Sequence, residues 1–73
     1  MNSLPKHVEV KRKDERVMEV EVPYGSDLYN KLWEIYAGTD PIMCEGRPHR
    51  VVGIKNETRS EGAIVATFTL CST

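Results

Sequence analysis

The sequence predicts one small α+β domain, in which a single helix packs on a mostly antiparallel four-stranded sheet in the order β-β-α-β-β. Between Val17 and Gly38 the hydrophobic repeat changes from every second residue to every third or fourth residue, which indicates a strand that continues into a helix. Alternating hydrophobic residues also occur before and after this stretch, and they predict further strands. Strands on both sides of one helix favour a helix packed against one face of a sheet.

Length and composition limit the number of domains and the classes of partner. The chain has 73 residues, of which 40% are hydrophobic and 29% are charged. This size allows one domain with a modest core, and the composition is typical of a folded protein. We expect a flexible N-terminus over 1–6 and a single domain over 7–73, whose first strand begins near His7. A formal net charge of −1 argues against attraction of the whole surface to nucleic acid or acidic lipid.

The first two strands are predicted to form a hairpin, because a polar loop at 13–15 separates two stretches of alternating hydrophobic residues. A loop of three residues sets Val10 opposite Met18 and keeps the apolar faces together. The same register places Glu9 opposite Glu19, which is a like-charge pair. A bulge near the loop is the alternative arrangement.

The helix is bounded by clear start and stop signals. Pro23 cannot donate to a sheet ladder and Gly25 permits a tight turn, so the second strand ends there. Ser26 is predicted to cap the helix by accepting a hydrogen bond from the first turn. We expect the helix to span 27–37, with Gly38 in the position that follows the last turn.

The second half of the chain predicts two further strands. The segment 39–48 is turn-rich and is expected to be a loop with a short extended piece at 42–44. A third strand is predicted over 49–55, followed by a polar loop at 56–62. The fourth strand, over 63–71, is the least polar of the four, so we expect it to be central in the sheet.

The predicted core takes one face of each strand and one stripe of the helix. In the third strand this interpretation directs Val52 and Ile54 inward, and in the helix it leaves Tyr29 and Trp33 at the edge of the apolar stripe. The predicted core residues are Val8, Val10, Met18, Val20, Val22, Leu28, Leu32, Ile35, Tyr36, Val52, Ile54, Ile64, Ala66, Phe68 and Leu70.

A role in protein binding is the preferred hypothesis. One helix cannot cover both faces of a sheet, so Val51 and Val65 are expected on a second face, and Tyr29 and Trp33 at the helix edge offer aromatic rings. These four residues are the predicted partner-binding residues of a small non-enzymatic module, for which a homodimer is plausible. Its size and plain composition suggest an accessory or inhibitor protein of a phage or mobile element. A solvated sheet face and rings that cover the sheet rim are the alternatives.

Nucleic-acid binding is the second hypothesis. Lys11, Arg12 and Lys13 cluster around the first loop, and Arg50 lies in the second half of the chain. If they share one surface, these cations could contact phosphates. The competing interpretation is a solvated hairpin tip, because lysine on an edge strand also discourages edge pairing.

Chemistry of the catalytic or metal-binding kind is not expected. Cys44 and His49 have the residue types of a nucleophile and its base, and with His7 and Cys71 they have the ligand types for zinc. No third group is marked to orient a catalytic histidine, and the close sequence pairs that typify zinc sites do not occur. We therefore expect no enzyme activity, no metal site and no cofactor.

The expected compartment follows from the lack of membrane and export signals. No stretch approaches the roughly 18 apolar residues that span a bilayer, and 1–7 lacks the apolar core of a secretory signal. We expect a cytoplasmic protein with no membrane partner. Its two cysteines are accordingly expected to be reduced thiols.

The first hairpin and the segment from Val20 to Leu28, which reads VEVPYGSDL, resemble the opening of a β-grasp domain such as ubiquitin or the small sulfur carriers. The resemblance covers about the first half of the chain and implies a β-grasp-like fold. Those carriers act through a C-terminal pair of glycines, whereas this sequence reads Leu-Cys-Ser-Thr over 70–73. A carrier or conjugation role is therefore not expected, since fold likeness alone supplies no function.

Overall fold

A five-stranded antiparallel sheet and one helix form the domain, as a computed structural model describes it for residues 3–5, 8–38 and 40–72. The strand order in the sheet is β1-β2-β5-β4-β3. The α+β class is confirmed, whereas the four-strand prediction is wrong by one strand, because the extended piece at 42–44 pairs with the following strand. The elements are β1 (Glu9–Lys13), β2 (Val17–Pro23), α1 (Asp27–Gly38), β3 (Ile42–Cys44), β4 (Arg47–Thr58) and β5 (Ile64–Ser72).

The least polar strand, β5, is central, as predicted. It pairs antiparallel with β2 on one side and β4 on the other, and Phe68 lies opposite Val20 in β2 and Ile54 in β4. Phe68 and Val20 are fully buried, because residues directly opposite each other in a ladder share one face. This row of side chains is the middle of the core.

The sheet is strongly curled. In a flat sheet of this order, four strand spacings of roughly 4.8 Å would separate β1 from β3 by roughly 19 Å. Lys13 at the end of β1 nevertheless forms an ion pair with Glu45, which directly follows β3. The two edges of the sheet therefore approach each other around the core.

The first hairpin has a different register from the predicted one. Val10 lies opposite Val20 rather than Met18, and the register shifts between Val10 and Arg12. The bulge that was the alternative arrangement is thus present, with Lys11 as the extra residue. The Val10 side chain beside this bulge is exposed rather than buried in the core.

The helix start is as predicted. Ser26 Oγ accepts a hydrogen bond from the Tyr29 backbone N–H at 3.2 Å and donates one to the Pro23 carbonyl at 2.8 Å. The helix ends at Gly38, and the Asp40 N–H donates to the Ile35 carbonyl beyond its last turn. No helix in the described part of the chain has the length and apolar character needed to cross a membrane.

Part of the N-terminal segment lies against β3. Ser3 forms a parallel bridge with Met43, and the Leu4 N–H donates to the Met43 carbonyl at 2.9 Å. Leu4 also packs against the core. The remaining residues of the predicted flexible terminus, 1–2 and 6, lie outside the described residues, as does the predicted strand start at His7.

A second bulge exchanges two neighbouring valines between the core and the surface. The β4 register shifts between Val51 and Gly53, so Val51 is 9% exposed and Val52 is 56% exposed. The prediction that Val52 points inward is therefore wrong. Residues predicted in the core but exposed are Val10, Tyr36, Val52 and Ile64, and core residues that the sequence pattern missed are Tyr29, Ile42, Cys44 and Val51.

The β4 bulge can be tested by a matched pair of truncations. We expect Val51→Ala to lower the free energy of unfolding by about 2 kcal/mol, since it removes buried methyl groups and leaves a cavity. Val52→Ala should change it by less than about 0.5 kcal/mol, because that side chain faces solvent. Urea unfolding measures both values. Equal effects, or a larger loss for Val52→Ala, would contradict the bulge.

Candidate interaction surface

Two aromatic side chains on α1 form an exposed pair. The Trp33 and Tyr36 rings meet edge to face, with centroids 5.6 Å apart and planes at 84°. Trp33 is 43% exposed, yet its indole Nε1 donates a hydrogen bond to the Tyr29 hydroxyl at 3.1 Å. Tyr29 is itself buried against Phe68. This hydrogen bond therefore holds the Trp33 ring against a residue of the core.

One residue of the aromatic pair also lines a cleft between α1 and β4. Tyr36 and Val52 line this cleft of about 400 Å³ together with Arg50 and Asp40. The Arg50 side chain is exposed, and it forms no ion pair within the part of the chain that the structure describes. We call Trp33, Tyr36, Arg50 and Val52 the helix–β4 surface.

The predicted partner-binding residues have different environments. Trp33 is exposed, whereas Tyr29 and Val51 are buried, which leaves their side chains little area for a partner. Val65 lies half-buried in β5, opposite Pro23 and away from α1. The sequence pattern did not identify Tyr36 as a surface residue. Tyr36 lies inside the predicted apolar stripe of the helix and was therefore assigned to the core.

Ion pairs cover the sheet face opposite α1. Glu21 pairs with Arg59 and, at 4.0 Å, with Lys11. Glu57 pairs with Lys11 at 3.5 Å and Lys55 at 3.9 Å. On the second face, where Val51 and Val65 were expected, the paired charged side chains come from β1, β2, β4 and Arg59, and none comes from β5. This face resembles a solvated surface more than a docking patch.

Thr67 lies beneath these charges, between Glu21 in β2 and Lys55 in β4. Its side chain is 5% exposed, and its Oγ1 has no hydrogen-bond partner in the described structure. A buried hydroxyl without a partner costs roughly 1–3 kcal/mol. The hydroxyl of Thr67 is therefore buried without a hydrogen bond to any described residue.

The basic residues of the first hairpin are paired with carboxylates. Lys11 contacts Glu21 and Glu57, Arg12 contacts Asp14 at 2.6 Å, and Lys13 contacts Glu45. Arg50 belongs to β4, which β2 and β5 separate from β1. The structure therefore does not bring the four predicted nucleic-acid-binding residues into one unpaired basic patch.

Cys44 and His49 are both buried, and both line a second cleft. Burial raises the pKa of the Cys44 thiol, and the neighbouring Glu45 carboxylate raises it further. A raised pKa favours the neutral thiol over the nucleophilic thiolate. His49 Nδ1 lies 3.0 Å from the Arg47 carbonyl. This bond orients the ring toward the backbone of β4, and the arrangement is unlike that of an activated cysteine.

Metal ligands do not cluster in the described residues. No group of three or more His, Cys, Asp and Glu side chains is placed there to hold an ion. Cys44 and Cys71 are free thiols, and His7 lies outside the described residues. The zinc ligand set considered from the sequence therefore has no geometric support among Cys44, His49 and Cys71.

The unpartnered hydroxyl of Thr67 gives a test of the sheet face. We expect Thr67→Val to leave the free energy of unfolding unchanged or to raise it by up to about 1 kcal/mol, because the shape is kept and the unsatisfied group is removed. Thr67→Ser is the matched control, which keeps the hydroxyl and loses the methyl group. It should destabilise the protein by about 1 kcal/mol. A Val variant less stable than the Ser variant would show that the hydroxyl makes a stabilising bond.

The two thiols should react at different rates. In mildly alkaline buffer we expect iodoacetamide to modify half-buried Cys71 at least about tenfold faster than Cys44, which is buried and has a raised pKa. Mass spectrometry of the modified peptides measures both rates, and Cys71→Ser isolates the slower site. Because folding raises the pKa of Cys44, stability should decline as pH rises through the thiol range. Equal rates in the folded protein would contradict the burial of Cys44.

The chain was compared with models of protein families, with curated proteins and with solved structures. None of the three comparisons found a match.

Proposed function

We propose that this chain is a small non-enzymatic protein-interaction module that binds its partner through the helix–β4 surface. The observation that carries the proposal is the exposed Trp33–Tyr36 pair beside Val52 and Arg50. Tryptophan, tyrosine and arginine are the residue types that contribute most binding energy at protein interfaces. Elsewhere, ion pairs cover the sheet face opposite α1.

Rigidity favours this surface. The Trp33 indole is held by the hydrogen bond to buried Tyr29, and the Tyr36 ring packs against the indole. A ring that is already ordered loses little conformational entropy on binding, so more of its contact energy appears as affinity. The surface is therefore preorganised in the free protein.

The charge beside the cleft suggests the chemistry of the partner. Arg50 supplies a guanidinium that forms no ion pair with a carboxylate of the described residues, in a cleft that Tyr36, Val52 and Asp40 also line, and such a group pairs well with a carboxylate. The cleft of about 400 Å³ has room for a large apolar side chain. We infer a protein partner that presents an apolar anchor beside an acidic residue.

Several narrower statements belong to the same proposal. A second copy of the chain is one partner to test, since a self-complementary surface would give a closed homodimer. A cytoplasmic location and a role as an accessory or inhibitor protein of a phage or mobile element rest on size and composition. The β-grasp resemblance remains a prediction about the fold and contributes no partner.

Nucleic-acid binding through Lys11, Arg12, Lys13 and Arg50 is the alternative function. Its support is weaker, because the three hairpin cations already contact carboxylates of the chain. Counterion release from DNA or RNA would require those intramolecular pairs to exchange for phosphates. Steep salt dependence of any binding would favour this alternative.

A matched pair of substitutions tests the proposed surface. We expect Val52→Asp to weaken partner binding at least about tenfold, because it buries a charge at the interface and repels an acidic partner. Ile64→Asp is the control, since it changes an exposed aliphatic residue of another strand. Capture by the tagged chain from lysate, with and without nuclease, identifies the partner, and titration of the purified partner gives both affinities.

The outcomes separate the hypotheses. A protein that binds in both samples and loses affinity only with Val52→Asp supports the helix–β4 surface. Equal affinity of the two variants would refute it. Capture that disappears with nuclease treatment, together with loss of binding on Lys11→Ala and Lys13→Ala, would replace it with the nucleic-acid alternative.

A further inference from the structure

A second cleft, which shares no lining residue with the helix–β4 surface, lies where the inside of the curled sheet reaches solvent. Its volume is about 270 Å³. Buried Met18, Cys44 and His49 line it together with exposed Arg16 and Arg47. The cleft therefore combines a buried inner part with a charged opening.

Two arginines that line the cleft form no ion pair with a described carboxylate. Arg16 precedes β2 and Arg47 begins β4, so they reach the cleft from different parts of the chain. Neither side chain forms an ion pair with a carboxylate in the ranges 3–5, 8–38 and 40–72. Their backbone carbonyls are occupied, because the Arg16 carbonyl accepts from the Ser72 N–H at 2.8 Å and the Arg47 carbonyl lies 3.0 Å from His49 Nδ1.

The acidic residues of the cleft are largely neutralised. Asp14 pairs with Arg12, and Glu45 pairs with Lys13. A hydrogen bond from Lys13 and its positive charge hold the pKa of Glu45 below its usual range, so this carboxylate stays ionised and committed to Lys13. Among the described residues that line the cleft, Glu15 is the remaining carboxylate, against two guanidinium groups that form no ion pair there.

The inner part of the cleft is compatible with an anion. Cys44 is held as a neutral thiol by its raised pKa, so it adds no negative charge. His49 is 9% exposed, and its Nδ1 contact with a carbonyl, which can only accept, places a proton on Nδ1 and holds the ring in place. Together these groups form a polar wall of fixed geometry that carries no negative charge.

We propose that this cleft binds a tetrahedral oxyanion, either a phosphate or a sulfate group, between the guanidinium groups of Arg16 and Arg47. Guanidinium forks match the oxygens of such anions with paired, charge-assisted hydrogen bonds. The binding site is independent of the helix–β4 surface, so each can fail without the other.

Titration with inorganic phosphate and with sulfate tests the site. At constant ionic strength set with chloride, amide chemical shifts of the intact chain should change saturably around 15–18, 44–49 and 72 with either anion. Arg16→Gln with Arg47→Gln should weaken binding at least about tenfold. Lys31→Gln is the control, because it removes an exposed cation of α1 that does not line this cleft, and it should bind as the unchanged chain does. Near-UV circular dichroism verifies that each variant is folded.

The outcomes of the titrations show which anion binds and separate specific binding from nonspecific electrostatic attraction. Saturable binding of phosphate, of sulfate or of both supports the site and identifies which group it prefers. Linear shifts without saturation, equal binding of acetate, or unchanged affinity in the folded double variant would each overturn it.

Discussion

The pairing of β5 on both of its edges is the constraint on which the rest of the structure depends. Its inward side chains, with Phe68 in the middle, are fully buried, and β2 and β4 take their registers from it. A chain of 73 residues can enclose this row only if the sheet curls and the helix covers its open side. The approach of Lys13 to Glu45 across the two sheet edges is a consequence of that curl.

Two β-bulges change the sheet at its surface. In β4 the register shift turns Val51 into the core and Val52 outward, which places an aliphatic side chain in the same cleft as Tyr36 and Arg50. In β1 the shift leaves Lys11 as an extra residue, after which pairing with β2 resumes at Arg12, and a bulge with an exposed lysine discourages pairing with another strand. The β4 bulge thus contributes to the helix–β4 surface, and the β1 bulge makes the β1 edge of the sheet less able to pair with another strand.

The charges are distributed so that most cations of the first hairpin contact carboxylates of the same chain. Exposed pairs of this kind contribute little to stability, and their main effect is to reduce the field that a partner would meet. Arg16, Arg47 and Arg50 lie outside these pairs, in the two clefts. Arginines that form no ion pair within the described residues, rather than the sum of basic residues, are therefore the basis of the proposed anion contacts.

The sequence by itself determined the helix with its Ser26 cap, the α+β class and the central position of the least polar strand, because each depends on local periodicity or on one side chain near its own backbone. It also placed Tyr29 and Trp33 at the edge of the helix stripe, and of these two rings Trp33 is the exposed one. Only the tertiary structure decided that Tyr29 and Val51 are buried, that β3 joins the sheet, and that Arg16 and Arg47 line the same cleft. A bulge shifts every following side chain to the opposite face of the sheet, and the curl of the sheet brings together residues from distant strands. The local hydrophobic pattern of a sequence contains neither effect, so neither could be predicted from it.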